Sequence, residues 1–210
     1  MAATILVTGF GPFPGAPFNP TGPLVKALAR MRRPCLADAK IVAHVFPTSY
    51  AAVDRDLPRL IARHKPDVLL MFGLAPRART VRIETRARNT VSLLPDAGGA
   101  ALHRHAIVFG GPGTIALPAP AQDLLAAVRA LHVPAALSRD AGRYLCNYLC
   151  WRAAEANQKG GPRVVAFVHV PPVRRGPAAH RRGKNRRLTL ADLARAGSVL
   201  LSAIAVAAGR

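Results

Sequence analysis

Short apolar segments alternate with longer helical patterns along this sequence, and that alternation constrains the fold more than any other feature. The segment DVLLMFGL (67–74) is apolar after its aspartate, which is typical of a strand at the centre of a sheet. Other predicted strands lie at 4–10, 40–46, 133–138 and 163–170, and predicted helices lie at 19–33, 50–64, 120–131, 144–157 and from 189 onward. The alternation predicts one α/β domain over residues 1–210, with an open twisted sheet, mixed or mostly parallel, and helices on both faces.

The segment TVRIETRA (80–87) has a different pattern, in which apolar and charged residues alternate. Val81 and Ile83 alternate with Arg82 and Glu84, so the segment predicts a strand with one charged face. Residues 90–113 are rich in glycine and have no clear periodicity. We interpret them as a loop that includes a short strand near AIVF (106–109).

Composition limits the class of protein. Half of the residues are hydrophobic, which is enough for a sizeable core. No apolar run reaches the roughly 18 residues that a membrane span needs, and the first residues lack the features of a signal peptide. The sequence therefore predicts a cytoplasmic protein without a membrane span. Its three cysteines, an odd number, favour free thiols over a disulfide framework.

The chain is strongly basic, with a formal net charge of +20. A basic surface attracts polyanions, but here the arginines are scattered and alanine and proline are also abundant, so a compositional bias explains the charge as well as nucleic acid does. The dense cluster RRGPAAHRRGKNRR (174–187) has no aromatic residue on which bases could stack. We interpret it as a solvated basic loop and do not expect a nucleic-acid partner.

Two of the three cysteines lie four residues apart in AGRYLCNYLC (141–150). Cys146 follows a predicted strand and a turn with Asp140 and Gly142, so it lies near a helix N-terminus, where the helix dipole stabilises a thiolate. Cys150 lies one turn later and is better explained by packing. For either cysteine the alternative is a small core residue. A zinc site is not expected, because two cysteines and a distant histidine do not complete a tetrahedral set.

A cysteine nucleophile needs a general base and a group that orients the base. His169 ends the apolar segment VVAFVHV, where open α/β sheets place functional groups, although a core histidine bonded to a carbonyl is an equal alternative. Glu84 is one of only two glutamates in the chain, and by itself an ion pair with Arg82 or Arg86 is its simpler explanation. Cys146, His169 and Glu84 nonetheless fall at mutually consistent places, each near the end of a different predicted strand.

These residues belong to longer motifs that resemble the pyroglutamyl peptidase I family of cysteine peptidases. The motifs are VTGFGPFPG (7–15) with Asn19 and Pro20, GLAP (73–76), VPAALSRDAGRYLCN (133–147), FVHVP (167–171) and LTLADLARA (188–196). The cysteine motif is the most specific, because it matches the family at every position through Asn147. The resemblance covers essentially the whole chain.

The resemblance implies a peptidase that removes N-terminal pyroglutamate from peptides. It implies that Cys146 is the nucleophile, His169 the general base and Glu84 the residue that orients the base, with no cofactor and no metal. The residues implied to bind the substrate are Phe10 and Phe13 as aromatic walls, Asn19 and Leu74 near the lactam, and Tyr144 and Leu145 before the nucleophile. The partners implied are pyroglutamylated peptides and further copies of the chain, as a homodimer or a homotetramer.

The block around Glu84 departs from the family pattern. The family usually has arginine at the position of Ala78 and serine or threonine at that of Arg82, and Thr85 and Arg86 also differ. Arg77 and Arg79 flank the missing arginine and are candidates to replace it. Two alternatives follow: a related cysteine amidohydrolase with an altered substrate, or a catalytically impaired homologue that binds a partner through its basic surface.

Overall fold

The computed structural model describes residues 3–31, 34–174 and 187–209. The strands are β1 (Thr4–Phe10), β2 (Lys40–Phe46), β3 (Val68–Leu74), β4 (Val81–Glu84), β5 (Arg86–Arg88), β6 (Thr114–Ala116), β7 (Ala135–Ser138) and β8 (Val164–Val170). The α-helices are α1 (Thr21–Arg30), α2 (Tyr50–His64), α3 (Ala121–Arg129), α4 (Leu145–Gln158) and α5 (Leu190–Ala208), and a short 3-10 helix spans Pro34–Leu36.

Six strands form one sheet in the order β2-β1-β3-β8-β4-β7, and β5 and β6 pair separately. Neighbouring strands of the large sheet run parallel, except that β4 and β8 are antiparallel. The all-apolar strand β3 lies third in this order and is buried along its whole length. The predicted α/β fold with a mostly parallel, mixed sheet is therefore confirmed.

Helices cover both faces of the sheet because the strand side chains alternate between two apolar clusters. On β1, Ile5 and Val7 point into a cluster with α1, α3 and α5, whereas Leu6 points into a cluster with α2 and α4. Each face thus removes apolar surface from water, which is the main stabilising contribution to a fold of this kind.

Helix α5 is long and apolar enough to cross a membrane by length and composition, and 44% of its apolar window is buried inside the protein. A core helix meets the same criterion. Thr189 and Asp192 form a capping box at its start, as the sequence predicts. Leu193, Leu200 and Ile204 pack in the cluster shared with α1 and α3, so we interpret α5 as a core helix.

Three local predictions are wrong. Residues 80–87 do not form one strand, because the chain leaves the large sheet after Glu84 and pairs with β6 from Arg86. Residues 106–109 contain no strand, and the short strand of this region is Thr114–Ala116. The first helix begins at Thr21 rather than at Pro20, since the Asn19 Oδ1 accepts a hydrogen bond from the Thr21 N–H (3.1 Å) and Pro20 occupies the N-cap.

The direction of β4 determines how deep its residues lie. The carboxyl ends of β1, β3 and β8 meet at one edge of the sheet, because these strands are parallel. Strand β4 starts at that edge and runs inward, so Arg82 lies opposite His169 and Glu84 lies opposite Phe167, one pleat deeper. The charged face predicted for this strand is therefore wrong for Glu84, which is fully buried.

Candidate active site

A tight turn places Cys146 in the first turn of α4. The Asp140 Oδ1 accepts a hydrogen bond from the Gly142 N–H (3.0 Å), and Gly142 has a φ of 82°, which glycine adopts without strain. Helix α4 begins at Leu145, so Cys146 is its second residue. Tyr144, at the N-cap, makes no side-chain capping bond. The backbone N–H groups of this first turn have no acceptor within the helix and form a site for developing negative charge.

His169 and Glu84 form a buried pair on neighbouring strands. The Nδ1 of His169 lies 2.8 Å from the Oε1 of Glu84, and their side chains are 8% and 0% exposed. A carboxylate at Nδ1 fixes both the ring orientation and the tautomer, so that Nε2 is the nitrogen left for other partners. The simpler explanation for Glu84, an ion pair with Arg82 or Arg86, does not hold in the structure.

Cys146 is the second partner of His169. The two side chains form a hydrogen bond, and Cys146 is half-buried. Burial lowers the pKa of His169, whereas the charge and hydrogen bond of Cys146 and the contact with Glu84 raise it, and the result is a pKa of about 9. The ring of His169 is therefore mostly protonated near neutral pH, and it can give a proton to a leaving group.

A glycine on β3 makes room for the sulfur. Gly73 pairs with His169 in the sheet register, and a Cβ at Gly73 would lie 2.7 Å from the Cys146 Sγ and 2.7 Å from the Phe167 Cζ. A side chain at this position would collide with both groups. Sequence reasoning identified the GLAP motif but not this role, for which a glycine within an apolar strand was the only signal.

A cavity of about 400 Å³ opens beside these residues. Eight of the nine residues that the sequence predicts for the site line it: Phe10, Phe13, Asn19, Leu74, Tyr144, Leu145, Cys146 and His169. Glu84, the ninth, is fully buried and holds His169 through its ring nitrogen. Thr48 and Arg143, which the sequence did not suggest, also line the cavity, and so does Arg82.

Asn19 holds the loop that carries the two phenylalanines. Its Nδ2 donates a hydrogen bond to the Gly11 carbonyl (3.0 Å), and its Oδ1 accepts one from the Thr21 hydroxyl (2.8 Å). The Thr21 hydroxyl oxygen in turn accepts a hydrogen bond from the Phe10 N–H (3.0 Å). Asn19 thus shapes the wall of the cavity through its backbone partners, and both polar atoms of its side chain are already engaged.

Comparison with known proteins gives a consistent result. The sequence profile of the family described as "Pyroglutamyl peptidase" matches residues 3–193. The chain belongs to the pyroglutamyl peptidase family. The resemblance drawn from the sequence motifs is therefore confirmed, and the family consists of cysteine-type hydrolases.

Individual relatives agree with this assignment. The chain is 32% identical to the pyrrolidone-carboxylate peptidase of Pyrococcus furiosus over 169 residues, which are 80% of each chain. It is 34% identical to that of Clavibacter michiganensis over 170 residues, 80% of this chain and 78% of the relative. The solved structure of Bacillus amyloliquefaciens pyroglutamyl peptidase I matches with a TM-score of 0.83 and 26% identity, covering 97% of each chain.

Asn147, beside the cysteine, anchors the start of α4. Its Oδ1 accepts a hydrogen bond from the Arg88 N–H (2.9 Å), and its Nδ2 donates to the carbonyls of Arg88 (2.8 Å) and Thr90 (3.0 Å). The side chain is fully buried. These bonds fix the first turn of α4 against β5, a role that sequence reasoning did not assign to Asn147.

Asp96 holds the loop at 95–98 against the start of α2. The carboxylate accepts hydrogen bonds from the N–H groups of Tyr50 (3.0 Å), Gly98 (2.8 Å) and Ala100 (3.0 Å). Burial opposes ionisation of Asp96, but these bonds keep its pKa below the ordinary value. The Tyr144 hydroxyl donates to the Pro95 carbonyl (2.9 Å), so the loop also contacts the N-cap of α4.

The residues around Glu84 that depart from the family pattern fall into two groups. Thr85 donates a hydrogen bond to the Ser138 carbonyl (3.0 Å), and the Arg86 Nε donates to the Arg139 carbonyl (2.9 Å). Both therefore tie the chain after β4 to the segment that leads into the turn before Cys146. Arg82 instead lines the cavity.

Arg77 and Arg79, the candidates to replace the arginine missing at Ala78, lie away from the cavity lining. Ala78 is buried, whereas Arg77 and Arg79 are exposed, and neither of them is among the residues that line the cavity. The guanidinium groups at the cavity come from Arg82 and Arg143.

Cys150 has none of the accessibility of Cys146. It is fully buried, and burial raises its pKa well above the ordinary value, while the charges of Cys146 and Glu84 raise it further. A neutral thiol in an apolar cluster is chemically inert.

Among the described residues, no group of three or more His, Cys, Asp or Glu side chains could hold a metal ion. Of the predicted basic loop 174–187, residues 175–186 lie outside the described residues.

Proposed function

We propose that this chain is a cysteine-type pyroglutamyl aminopeptidase, which removes pyroglutamate from the N-terminus of peptides. The observation that carries the proposal is the contact series from Cys146 through His169 to Glu84 at the edge of a cavity. Membership of the pyroglutamyl peptidase family supports the same chemistry. In this proposal Cys146 is the nucleophile, His169 is the general base and acid, and Glu84 orients the ring.

The first step forms the thioester. His169 holds the proton of Cys146, and the thiolate attacks the carbonyl carbon that joins the pyroglutamyl ring to the next residue. The carbonyl oxygen becomes an oxyanion, which the uncapped N–H groups at the start of α4 stabilise. His169 then gives its proton to the leaving amine as the C–N bond breaks, and the shortened peptide departs.

The second step releases pyroglutamate. A water molecule gives a proton to His169 and attacks the thioester carbonyl, and the C–S bond breaks as the thiolate of Cys146 re-forms. Glu84 holds the ring in one orientation through both steps. These steps require only the three side chains, the backbone N–H groups and water.

The cavity suits the uncharged ring of pyroglutamate. Phe10, Phe13 and Leu74 provide apolar surface on the β1 and β3 side of Cys146. Asn19 shapes the pocket through its bonds within the loop, and its second Nδ2 N–H and the backbone near Leu74 are the candidates for contact with the lactam. Tyr144 and Leu145 complete the pocket at the N-terminus of α4.

We also propose a domain organisation, a location and an assembly state for the protein. We propose a single domain over residues 1–210, because the large sheet unites β1 with β8 and α5 packs on its face. We further propose a cytoplasmic enzyme that acts on pyroglutamylated peptides as a homodimer or homotetramer, without a membrane or nucleic-acid partner. Size-exclusion chromatography with light scattering would measure the assembly.

The function is tested by hydrolysis of pyroglutamyl-aminomethylcoumarin, with alanyl- and glutamyl-aminomethylcoumarin as controls. We expect turnover of the pyroglutamyl compound alone, and loss of turnover after iodoacetamide modifies Cys146. Absence of turnover by folded protein whose Cys146 alkylates normally would overturn the proposal. Hydrolysis of other acyl amides in preference to the pyroglutamyl compound would instead identify a related amidohydrolase.

A further inference from the structure

The lining of the cavity changes from apolar to charged residues along the strand order of the sheet, from β1 and β3 to β8 and β4. Much of its apolar lining comes from the carboxyl ends of the neighbouring strands β1 and β3, or follows β1 directly: Phe10, Phe13 and Leu74. Next in order is β8 with His169, and beyond it is β4 with Arg82. The reacting pair of Cys146 and His169 therefore lies between an apolar half and a cationic half of the same cavity.

Arg82 is the most distinctive group of the cationic half. It lies directly opposite His169 in the antiparallel register, and side chains of such a pair project from the same face. It is exposed, and among the described residues none forms a hydrogen bond or ion pair with its guanidinium. This contrasts with Arg86 and Arg88, which bind the Arg139 carbonyl and the Asp140 carboxylate.

The lining of the cavity contains one other arginine and one carboxylate, Arg143 and Asp140. Arg143 lines the cavity and is exposed. Asp140 is the one carboxylate among the cavity-lining residues of the described chain, and Arg88 pairs with it at 3.2 Å. A charged ligand group that enters the cavity beside Arg82 would therefore meet an unpaired guanidinium, whereas the carboxylate of Asp140 is already paired.

The chemistry of the reaction determines which part of the substrate reaches this half. His169 must protonate the leaving amine, so the residue that follows pyroglutamate has to lie beside His169 when the C–N bond breaks. The apolar half of the cavity receives the pyroglutamyl ring. The leaving residue is thus on the side of β4, where Arg82 projects.

Building on the proposed function, we propose that Arg82 binds a carboxylate on the residue after pyroglutamate and makes this enzyme prefer peptides with an anionic group there. A guanidinium recognises a carboxylate through two parallel N–H···O bonds. A neutral side chain of the substrate lacks the two charged acceptor oxygens that this pair of bonds needs. The carboxylate belongs either to an aspartate or glutamate side chain or to the free terminus of a pyroglutamyl dipeptide.

Two matched pairs of substrates separate these sources. Pyroglutamyl-glutamyl-alanine amide against pyroglutamyl-glutaminyl-alanine amide tests the side chain, and pyroglutamyl-alanine against pyroglutamyl-alanine amide tests the terminus. We expect kcat/KM to favour the anionic member by about five- to tenfold in at least one pair, a moderate value because the guanidinium is exposed. The pair that shows the preference identifies the source of the carboxylate.

Variants then assign the preference to Arg82. In Arg82→Gln the ratio of kcat/KM between anionic and neutral members should fall to about 1, whereas Arg77→Gln, an exposed arginine outside the cavity, should keep the wild-type ratio. A ratio within one enzyme is insensitive to the fraction of folded protein. Equal kcat/KM in both pairs, or a preference that survives Arg82→Gln, would overturn the inference and leave the proposed function standing. Failure to cleave any of the four substrates would instead overturn the proposed function.

Discussion

The first two turns of α4 place the same chemical group in opposite environments. Cys146 in the first turn lies beside a cavity and contacts His169, whereas Cys150 in the second turn is fully buried in the apolar cluster beneath α2 and α4. The two residues are one helical turn apart, about 6 Å along the helix axis. The difference shows that the reactivity of a thiol here depends on whether it reaches the sheet edge where β3 and β8 end.

The largest expected difference between the two cysteines is in activity, and it is tested by replacing each of them in turn. Cys146→Ala should lower kcat/KM for a pyroglutamyl amide by at least about a thousandfold, because no other group can form the thioester. Cys150→Ala should leave kcat/KM within about twofold and cost about 1 kcal/mol in the free energy of unfolding, from the small cavity it creates. Enzyme kinetics and urea denaturation measure both. Comparable losses of activity in the two variants would contradict the assignment.

The next test concerns Glu84, the carboxylate that contacts the Nδ1 of His169. Glu84→Gln keeps the size of the side chain but removes the charge that orients the ring, so we expect kcat to fall by about a hundredfold with little change in KM. The chain's other glutamate provides the matched control. Glu155 pairs with Arg152 on α4 and does not line the catalytic cavity, so Glu155→Gln should retain wild-type kcat. Equal kinetics for the two variants would refute the role of Glu84.

A smaller effect is expected from filling the space beneath Cys146. A Cβ at Gly73 would lie 2.7 Å from both the Cys146 Sγ and the Phe167 Cζ, so Gly73→Ala should displace the thiol from His169. We expect about a tenfold loss of kcat and a destabilisation of about 1–3 kcal/mol. Gly113→Ala is the control, because a Cβ there would meet nothing within 4 Å. Alkylation of Cys146 at a normal rate in Gly73→Ala would show that the space is not required.

The smallest effect is a change in the titration of His169. Burial lowers the pKa of this ring, but Cys146 and Glu84 raise it to about 9, and Cys146 makes the largest raising contribution. In Cys146→Ala the pKa should move back toward the ordinary value of 6.5, whereas in Cys150→Ala it should stay near 9. Nuclear magnetic resonance of ¹³C-labelled histidine measures the midpoint.

The sign of the linked stability follows from the raised pKa. The folded protein binds this proton more tightly than the unfolded chain, so protonation of His169 stabilises the fold. This contribution is complete below pH 6.5 and is lost as the pH rises through about 9. The free energy of unfolding should therefore fall less over this range in Cys146→Ala than in the wild type. An equal fall in both proteins would count against the contact between Cys146 and His169.

Much of the fold was predictable because its signals are local. The apolar runs of β1, β3 and β8, the segment of α2 and the capping box of α5 each have a pattern set by neighbouring residues. The segment 80–87 was predicted incorrectly, because alternation alone does not show that the chain changes partner strand after Glu84. Pairing between strands depends on residues far apart in the sequence.

The site divides in the same way. The motif around Cys146 and the strand-ending His169 could be recognised from the residues, and so could Phe10, Phe13 and Leu74 near strand ends. The functions of Gly73, Asn147 and Asp96 could not, because each depends on a partner elsewhere in the chain: the Cys146 sulfur, the backbone of β5 and the start of α2.

The sequence by itself determined the α/β fold, the family and the candidates for the nucleophile and its base. Only the tertiary structure decided that Glu84 is buried against His169, that Arg82 rather than Arg77 or Arg79 lines the cavity, and that Cys146 rather than Cys150 is accessible. The physical reason is the antiparallel insertion of β4 beside β8, which places Glu84 one pleat below the sheet edge and Arg82 at it. No local pattern encodes that direction, because it results from packing the whole sheet between two layers of helices.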